Sequence, residues 1–251
     1  MKNRQETPLQ CSKSECKLPS RIAHRGLPPE NTLKGFEKAR QAGAQWIECD
    51  LRLSQDLHPV IIHDNILKRL AHVPGQVRNM SLITLKQLDM GEGAIIPTLR
   101  ELLTWACQHH IGVNLEIKNY ERRHTQRIAQ LIQEAIERYW TQPLDQLLIS
   151  SFSRRTLSSI RRKNKIIALG LLCNPFQTAV IQRASALGCL SVHIPEATAT
   201  NEIIQQIRAA GLQVLVYTVN NQARAEQLLS EGVTAIFTDN SDLYRPQQSS
   251  S

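Results

Sequence analysis

The feature that most constrains this chain is a regular alternation of short apolar runs and amphipathic stretches, which begins after residue 20. When the short run at residues 59–63 is set aside, eight predicted strands alternate with helices. They fall at residues 21–24, 45–51, 111–117, 147–151, 166–172, 190–194, 213–219 and 235–238. Strands joined by helical crossovers run parallel, and eight of them in a domain of 251 residues favour an α/β fold, a closed (β/α)8 TIM barrel. The alternative is an open doubly wound sheet, but the chain lacks the glycine-rich fingerprint that would support it.

The predicted barrel forms one domain over residues 21–245. Residues from about 58 to 96 have weaker periodicity and several glycine and proline positions, so they predict a small insertion of turns and short helices after strand 2. Residues 1–20 are polar and predict a disordered N-terminal tail, and residues 246–251 predict a frayed C-terminus.

The charge balance narrows the possible partners. Lys and Arg number 30 against 22 Asp and Glu, a net charge of +8, which suits a small anionic substrate, an anionic membrane surface or nucleic acid. Aromatic residues make up only 4% and no nucleic-acid-binding module is recognisable, so no nucleic acid is expected. The six cysteines form no C-x-x-C pair, and the polar residues 1–20 and the lack of an 18-residue apolar stretch predict neither a signal peptide nor a transmembrane segment. We expect a cytoplasmic protein without stable membrane association, and the oligomeric state is not predicted.

Carboxylates collect at the carboxyl ends of two predicted strands, which is where such barrels place their active sites. Glu48 and Asp50 are two residues apart and therefore point to one face of their strand, and Glu116 lies on the next strand of the barrel. Three such carboxylates are suited to hold a hard divalent cation. The alternative is an ion-pair layer, whose cations would be Arg25, Arg52 or Lys118.

Two histidines complete the predicted site. His24 ends the first strand and is followed by Arg25 and Gly26, where an Arg can grip a phosphate and a Gly lets the backbone approach it. His63 follows the short run at residues 59–63 and can reach the same mouth. One imidazole would remove a proton from the attacking oxygen, and the other would donate one to the leaving alkoxide. The remaining histidines are interpreted as surface residues, namely His58, His72, His109, His110 and His124, apart from His193 on a later strand.

These residues, taken in order, resemble the glycerophosphodiester phosphodiesterase family, in its bacterial cytoplasmic type. The match covers roughly residues 21–244, and each motif is weak while the ordered set is specific. The motifs are His24-Arg25-Gly26, Pro29-Glu30-Asn31-Thr32, Glu48-Cys49-Asp50, Val60-Ile61-Ile62-His63-Asp64, Ile96-Pro97-Thr98-Leu99, Asn114-Leu115-Glu116-Ile117-Lys118, Ile149-Ser150-Ser151-Phe152-Ser153, Tyr217-Thr218-Val219-Asn220 and Thr238-Asp239.

The resemblance implies metal-dependent hydrolysis of glycerophosphodiesters to sn-glycerol 3-phosphate and an alcohol. It implies that the catalytic acid–base pair is His24 and His63, and that the ligands of Mg2+ or Ca2+ are Glu48, Asp50 and Glu116. The implied substrate-binding residues are Arg25, Lys118 and Tyr217. Tyr217 stands where the family often has Trp, which predicts a more polar pocket.

Two other kinds of function stay open on the sequence. The first is a related barrel that acts on lipids, as a lysophospholipase D or a phosphoinositide phospholipase does. The second is a barrel that binds phosphodiesters or nucleic acid without cleaving them. The sequence also leaves open whether water or the substrate's own hydroxyl attacks the phosphorus.

Overall fold

Runs of apolar and β-branched residues form nine strands in the computed structural model, which describes residue 16, residues 18–118 and residues 124–244. The strands are β1 (Arg21–His24), β2 (Trp46–Leu53), β3 (Pro59–Ile61), β4 (Gly112–Ile117), β5 (Leu147–Ser151), β6 (Ala168–Leu172), β7 (Ser191–Pro195), β8 (Gln213–Tyr217) and β9 (Ala235–Thr238).

Amphipathic segments between the strands form nine helices in the same described ranges. They are α1 (Leu33–Gln41), α2 (Lys68–Ala71), α3 (Leu82–Lys86), α4 (Leu99–His109), α5 (Thr125–Tyr139), α6 (Arg154–Lys163), α7 (Ala179–Ala186), α8 (Asn201–Ala209) and α9 (Gln222–Ser230). Polar caps fix several of their starts. Thr98 and Glu101 form a reciprocal capping box at the start of α4, and Ser153 accepts a hydrogen bond from a backbone N–H in the first turn of α6.

Eight of the strands close into a barrel. They pair in parallel in the order β1-β2-β4-β5-β6-β7-β8-β9, and β1 also pairs with β9, which completes the ring. The predicted (β/α)8 barrel is therefore confirmed. The extra strand β3 pairs antiparallel with β2.

Alternation along β2 separates the core from the barrel interior. Ile47, Cys49 and Leu51 are fully buried in the apolar layer between the strands and the helices. Glu48 and Asp50 lie between them in sequence and therefore point inwards, where both are buried. Glu48 and Asp50 therefore point to the same face of β2, as predicted.

The amino-terminal end of the barrel is closed by apolar residues. The cluster contains Ile22, Trp46, Leu148, Ala168, Leu215, Ala235 and Phe237, together with Cys16. Cys16 is only 2% exposed, and its thiol donates a hydrogen bond to the carbonyl of Asp145 at 2.9 Å. Cys16 and Leu18, which fall in the predicted tail, thus pack against the barrel. Residues 1–15 and 17 of that tail, and the predicted frayed end at 246–251, lie outside the described residues.

The segment between β2 and α4 forms a small unit with a core of its own. It contains β3, α2, α3 and a short 3-10 helix at Val77–Asn79. Its buried apolar residues are Val60, Ile62, Leu67, Val77, Leu85, Met90 and Ile96. Within the described part of the chain, no helix combines the length and the apolar character needed to cross a bilayer.

Candidate active site

Three carboxylates meet inside the barrel at the carboxyl ends of β2 and β4. The register of the two strands sets Asp50 beside Glu116, with Glu48 one inward position earlier. One carboxylate oxygen from each of the three residues lies within 4.8 Å of the others, and all three residues are buried. Buried carboxylates this close together are unfavourable unless positive charge or hydrogen-bond donors compensate them.

Two cations lie against this cluster. The Lys118 ammonium is 2.7 Å from Asp50 Oδ1 and 2.6 Å from Glu116 Oε1. Arg25 Nε is 3.2 Å from Asp50 Oδ2, and Asn31 donates a hydrogen bond to the same oxygen at 2.8 Å. Glu48 Oε1, in contrast, is buried without a hydrogen-bond partner among the described residues. The carboxylates therefore have an ion-pair layer on one side and an uncompensated oxygen on the other.

Arg52, the other cation considered for an ion-pair layer, has no ion pair with the three carboxylates among the described residues. Its Nε donates a hydrogen bond to the backbone carbonyl of His63 at 2.7 Å. Of the three cations considered for that layer, Arg25 and Lys118 therefore lie against the carboxylates, while Arg52, close to the end of β2, reaches the insertion instead. Arg52 fixes the backbone that carries His63.

The three carboxyl groups differ in their electrostatics. Burial raises the pKa of Glu48 well above its ordinary value, and the charges of Asp50 and Glu116 raise it further. Burial, followed by the charge of Asp50, also raises the pKa of Glu116. Burial acts in the same direction on Asp50, but Lys118 and Arg25 outweigh it and lower the pKa of Asp50 to about 2. The cluster thus combines a firmly ionised carboxylate with two that favour a cation or a proton nearby.

His24 is oriented by a carboxylate from the last strand end. Its Nδ1 lies 2.8 Å from Asp239 Oδ1, and Asn220 donates a hydrogen bond to the other oxygen of Asp239 at 3.0 Å. Burial alone would raise the pKa of Asp239, but the hydrogen bonds from His24 and Asn220 outweigh it and lower that pKa. An ionised Asp239 accepts a hydrogen bond from Nδ1–H of His24, which leaves Nε2 facing Glu48 Oε2 at 3.9 Å.

His63 has the same arrangement beside the neighbouring strand, because it follows β3, which pairs with β2. It follows β3 rather than ending it, and its Nδ1 lies 2.6 Å from Asp64 Oδ1. Arg69 holds the other oxygen of Asp64 at 2.6 Å. Burial lowers the pKa of His63, although the nearby carboxylates of Asp50 and Asp64 act against it. His63 is therefore a neutral imidazole at neutral pH, and its Nε2 is the nitrogen free to accept a proton.

A cavity of about 160 Å3 joins these groups. It is lined by His24, Arg25, Glu48, His63, Asn114, Glu116, Lys118, Phe152, Leu172, His193, Tyr217, Thr218 and Phe237. Of the predicted site residues, only Asp50 is set behind the lining, where it contacts Lys118 and Arg25. The structure therefore brings every predicted site residue together. A larger groove of about 940 Å3 lies beside α4 and α5 and contains none of them.

The wall formed by Tyr217 is less polar than predicted. The hydroxyl of Tyr217 donates a hydrogen bond to the carbonyl of Cys173 at 2.9 Å, and burial raises its pKa. The ring packs edge-on against Phe152, with the ring centres 6.3 Å apart. The phenol oxygen is thus occupied within the protein, and the cavity meets an aromatic ring.

Several residues that organise the site were not assigned roles from the sequence. They are Asn31, Asp64 and Asp239, which hold predicted residues, Asn220, which holds Asp239, and His193, which lines the cavity. The position of Asp239 directly after a strand was a usable signal, but no local pattern shows that Asp239 contacts a histidine 215 positions away. Of the histidines interpreted as surface residues, four are exposed and His124 is half-buried.

The fold and the site define a (β/α)8 barrel whose mouth holds two carboxylate-bound imidazoles beside a carboxylate cluster. The model of the glycerophosphoryl diester phosphodiesterase family matches residues 23–243. The chain therefore belongs to this family, and the prediction that it is an enzyme of this kind is confirmed.

Individual relatives agree with that assignment. The chain is 30% identical over 231 residues to a glycerophosphodiester phosphodiesterase of Caldanaerobacter subterraneus, a match covering 87% of this chain and 93% of the relative. It is 30% identical over 261 residues to a glycerophosphodiester phosphodiesterase of Bacillus subtilis, covering 93% and 88%. The structure is similar to that of an Oleispira antarctica phosphodiesterase in complex with the product sn-glycerol-3-phosphate, with a TM-score of 0.83, 34% identity and coverage of 88% and 93%.

Proposed function

We propose that this protein hydrolyses glycerophosphodiesters to sn-glycerol 3-phosphate and an alcohol, with a divalent cation and a pair of histidines. The observation that carries the proposal is the placement of His24 and His63. Each has its Nδ1 held by an aspartate, and both line a cavity that also contains the buried carboxylates. Family membership and the product-bound Oleispira structure support the same substrate class.

Glu48, Asp50 and Glu116 are the residues that would hold the cation. Their oxygens are the ligands that Mg2+ and Ca2+ prefer, and Glu48 Oε1 is buried without a hydrogen-bond partner among the described residues. A divalent cation bound there would offset negative charge on the phosphate and lower the pKa of a hydroxyl or water beside it.

The remaining residues would bind the substrate and move protons. Arg25 and Lys118 carry the positive charge that borders the cavity, and they would hold the phosphate oxygens. One imidazole takes the proton of the attacking oxygen through its Nε2, and the other donates a proton to the leaving alkoxide. The ring of Tyr217 would pack against the carbon atoms of the substrate.

The test measures release of sn-glycerol 3-phosphate from glycerophosphocholine. We expect no release by chelator-stripped protein, recovery with Mg2+ or Ca2+, and weaker cation binding by calorimetry in Glu48→Gln. A matched control is Glu37→Gln, because Glu37 pairs with Arg40 on the surface of α1. Full activity after stripping would contradict the metal requirement.

A second substrate tests the lipid alternative. Release of choline from lysophosphatidylcholine, without cleavage of glycerophosphocholine, would favour it.

A further inference from the structure

The inner end of the cavity carries a histidine that the proposed reaction does not use. His193 lies on β7, is fully buried and lines the cavity. Its Nε2 is 2.9 Å from the hydroxyl of Ser191, whereas its Nδ1 has no hydrogen-bond partner among the described residues. A buried polar atom left unpaired is unfavourable, so this nitrogen is a candidate contact for a bound molecule.

The His193 ring occupies space that a side chain at position 170 would fill. Gly170 on β6 lies beside it, and a Cβ at that position would come within 2.4 Å of Nε2 of His193. On the other side the ring packs against Phe237, with the ring centres 5.3 Å apart. The imidazole is therefore held in one orientation by a glycine, a hydroxyl and an aromatic ring.

The chemistry of the ring limits what it can contact. Burial lowers the pKa of His193 to about 3, so the ring is neutral at physiological pH. A neutral imidazole has one donor and one acceptor nitrogen, and Ser191 can pair with either form. Nδ1 can therefore be the donor in one tautomer and the acceptor in the other, and only a partner that both donates and accepts can pair with it in either. A hydroxyl does both, whereas a phosphate oxygen only accepts and an ammonium only donates.

A second polar atom that lines the cavity also lacks a hydrogen-bond partner among the described residues. Asn114 on β4 lines the cavity, is 1% exposed, and has an Oδ1 without a hydrogen-bond partner among the described residues. The positive groups that would attract a phosphate, Arg25 and Lys118, are more exposed than either residue. The cavity of about 160 Å3 is small beside the roughly 300–1,000 Å3 of sites for drug-sized ligands. Its inner end suits a short uncharged polyol.

We propose that Nδ1 of His193, together with Oδ1 of Asn114, hydrogen bonds a hydroxyl of the glycerol moiety and thereby selects glycerol-containing diesters. The proposal rests on the function proposed above. It names the terminal hydroxyl, since the neighbouring hydroxyl is the one that can take part in the reaction itself.

The experiment compares two substrates that differ by this one group. They are glycerophosphocholine and the phosphocholine diester of 1,2-propanediol, which lacks the terminal hydroxyl. We expect the unmodified enzyme with its cation to show a kcat/KM at least about tenfold higher for the glycerol diester. Equal kcat/KM values would overturn the proposal without any variant.

Variants then locate the discrimination. His193→Ala should lower kcat/KM for the glycerol diester at least about tenfold and leave the propanediol diester nearly unchanged, because the contact that the variant removes does not exist for a substrate without the terminal hydroxyl. His193→Asn keeps an amide near the position of Nδ1 and should recover part of the discrimination. Ser150→Ala is the control, since Ser150 Oγ is buried and unpaired among the described residues but does not line the cavity. Equal losses on both substrates in His193→Ala would show a structural role and overturn the proposal.

A binding measurement separates this proposal from the proposed reaction. Calorimetry compares sn-glycerol 3-phosphate with 1,2-propanediol 1-phosphate on the cation-loaded protein. A preference for the glycerol compound that His193→Ala abolishes supports the contact even if no diester is cleaved. Tight binding of both compounds with equal affinity contradicts it even if the enzyme is fully active.

Discussion

The two sides of the cavity are both built from the carboxyl ends of barrel strands, but one side is charged and the other is neutral. The charged wall comes from β1, β2 and β4 and includes His24, Arg25, Glu48, Glu116 and Lys118, with the neutral Asn114 at its inner end. The neutral wall comes from β6 to β9 and consists of Leu172, His193, Tyr217 and Phe237. One barrel therefore separates two tasks. Charge is concentrated where a phosphate would react, and uncharged surface is left where the rest of the substrate would be recognised.

The largest expected effect tests the charged wall. His24→Ala should lower kcat by about 10^2- to 10^4-fold, because the variant lacks a group that transfers a proton in the transition state. Steady-state kinetics on glycerophosphocholine with saturating cation measures it. His58→Ala is the matched control, since His58 is exposed and outside the cavity. A loss below tenfold in a folded His24→Ala would remove this residue from the acid–base pair.

A smaller effect is expected from the residue that orients His24. Asp239→Asn should lower kcat by about 10- to 100-fold and leave cation affinity unchanged, because the amide no longer fixes the tautomer and charge at Nδ1. Kinetics and calorimetry on the same preparation separate the two outcomes. Asp242→Asn, at an exposed position nearby, serves as the control. Loss of cation binding in Asp239→Asn would mean that the aspartate supports the carboxylate cluster instead.

The neutral wall should respond in stability more than in activity. Tyr217→Phe keeps the ring and removes the hydrogen bond to the carbonyl of Cys173, so the free energy of unfolding should fall by about 0.5–1.5 kcal/mol. Activity should change less than about threefold. Urea unfolding measures the first quantity, with Tyr139→Phe on α5 as the reference. A large loss of activity would place the phenol oxygen in the reaction and blur the distinction between the two walls.

The smallest effect comes from a carboxylate that belongs to neither wall. Burial alone would raise the pKa of Glu101, but hydrogen bonds from Lys86 and Thr98 outweigh it and lower that pKa. Its stabilisation is therefore present above the unfolded-chain pKa of about 4.3 and is lost as pH falls through the lower folded value. Glu101→Gln should destabilise the protein by about 0.2–1 kcal/mol at pH 7, a value discounted because the side chain is partly exposed.

Thermal unfolding in the presence of chelator, from pH 7 down to about pH 3, tests this pH dependence. The gap between the unmodified protein and Glu101→Gln should be constant near neutrality and close at the acid end. A gap that widens on acidification would reverse the assigned direction of the shift.

Local patterns were enough to predict the barrel and the inward-facing groups. The two-residue spacing of Glu48 and Asp50 requires one shared face, and position at a strand end predicts the mouth. Contacts between distant segments were not predictable in this way. The contact of His24 with Asp239 depends on the closure of the ring, and the burial of Cys16 depends on the base of the finished barrel.

The first and last residues of some strands were also not predictable from the apolar pattern. The apolar pattern predicts a strand from residue 166, but β6 begins at Ala168. The side chain of Asn164 accepts hydrogen bonds from the backbone N–H groups of Ile166 and Ile167, and this turn competes with the strand ladder. At β8 the pattern continues to Val219, which is buried, while the strand ends at Tyr217. The apolar pattern marks buried residues, and some buried residues lie beyond the hydrogen-bonded part of the strand.

The separate apolar cluster of the segment after β2 has an evolutionary consequence. We expect substitutions among its buried residues to repack that cluster first, because they form a group apart from the layer between the barrel and the helices. The segment also carries His63 and Asp64 to the mouth, while the three carboxylates stay on β2 and β4. Descendants of this chain can therefore change the entrance to the cavity by replacing the segment between β2 and α4, with the barrel inherited unchanged.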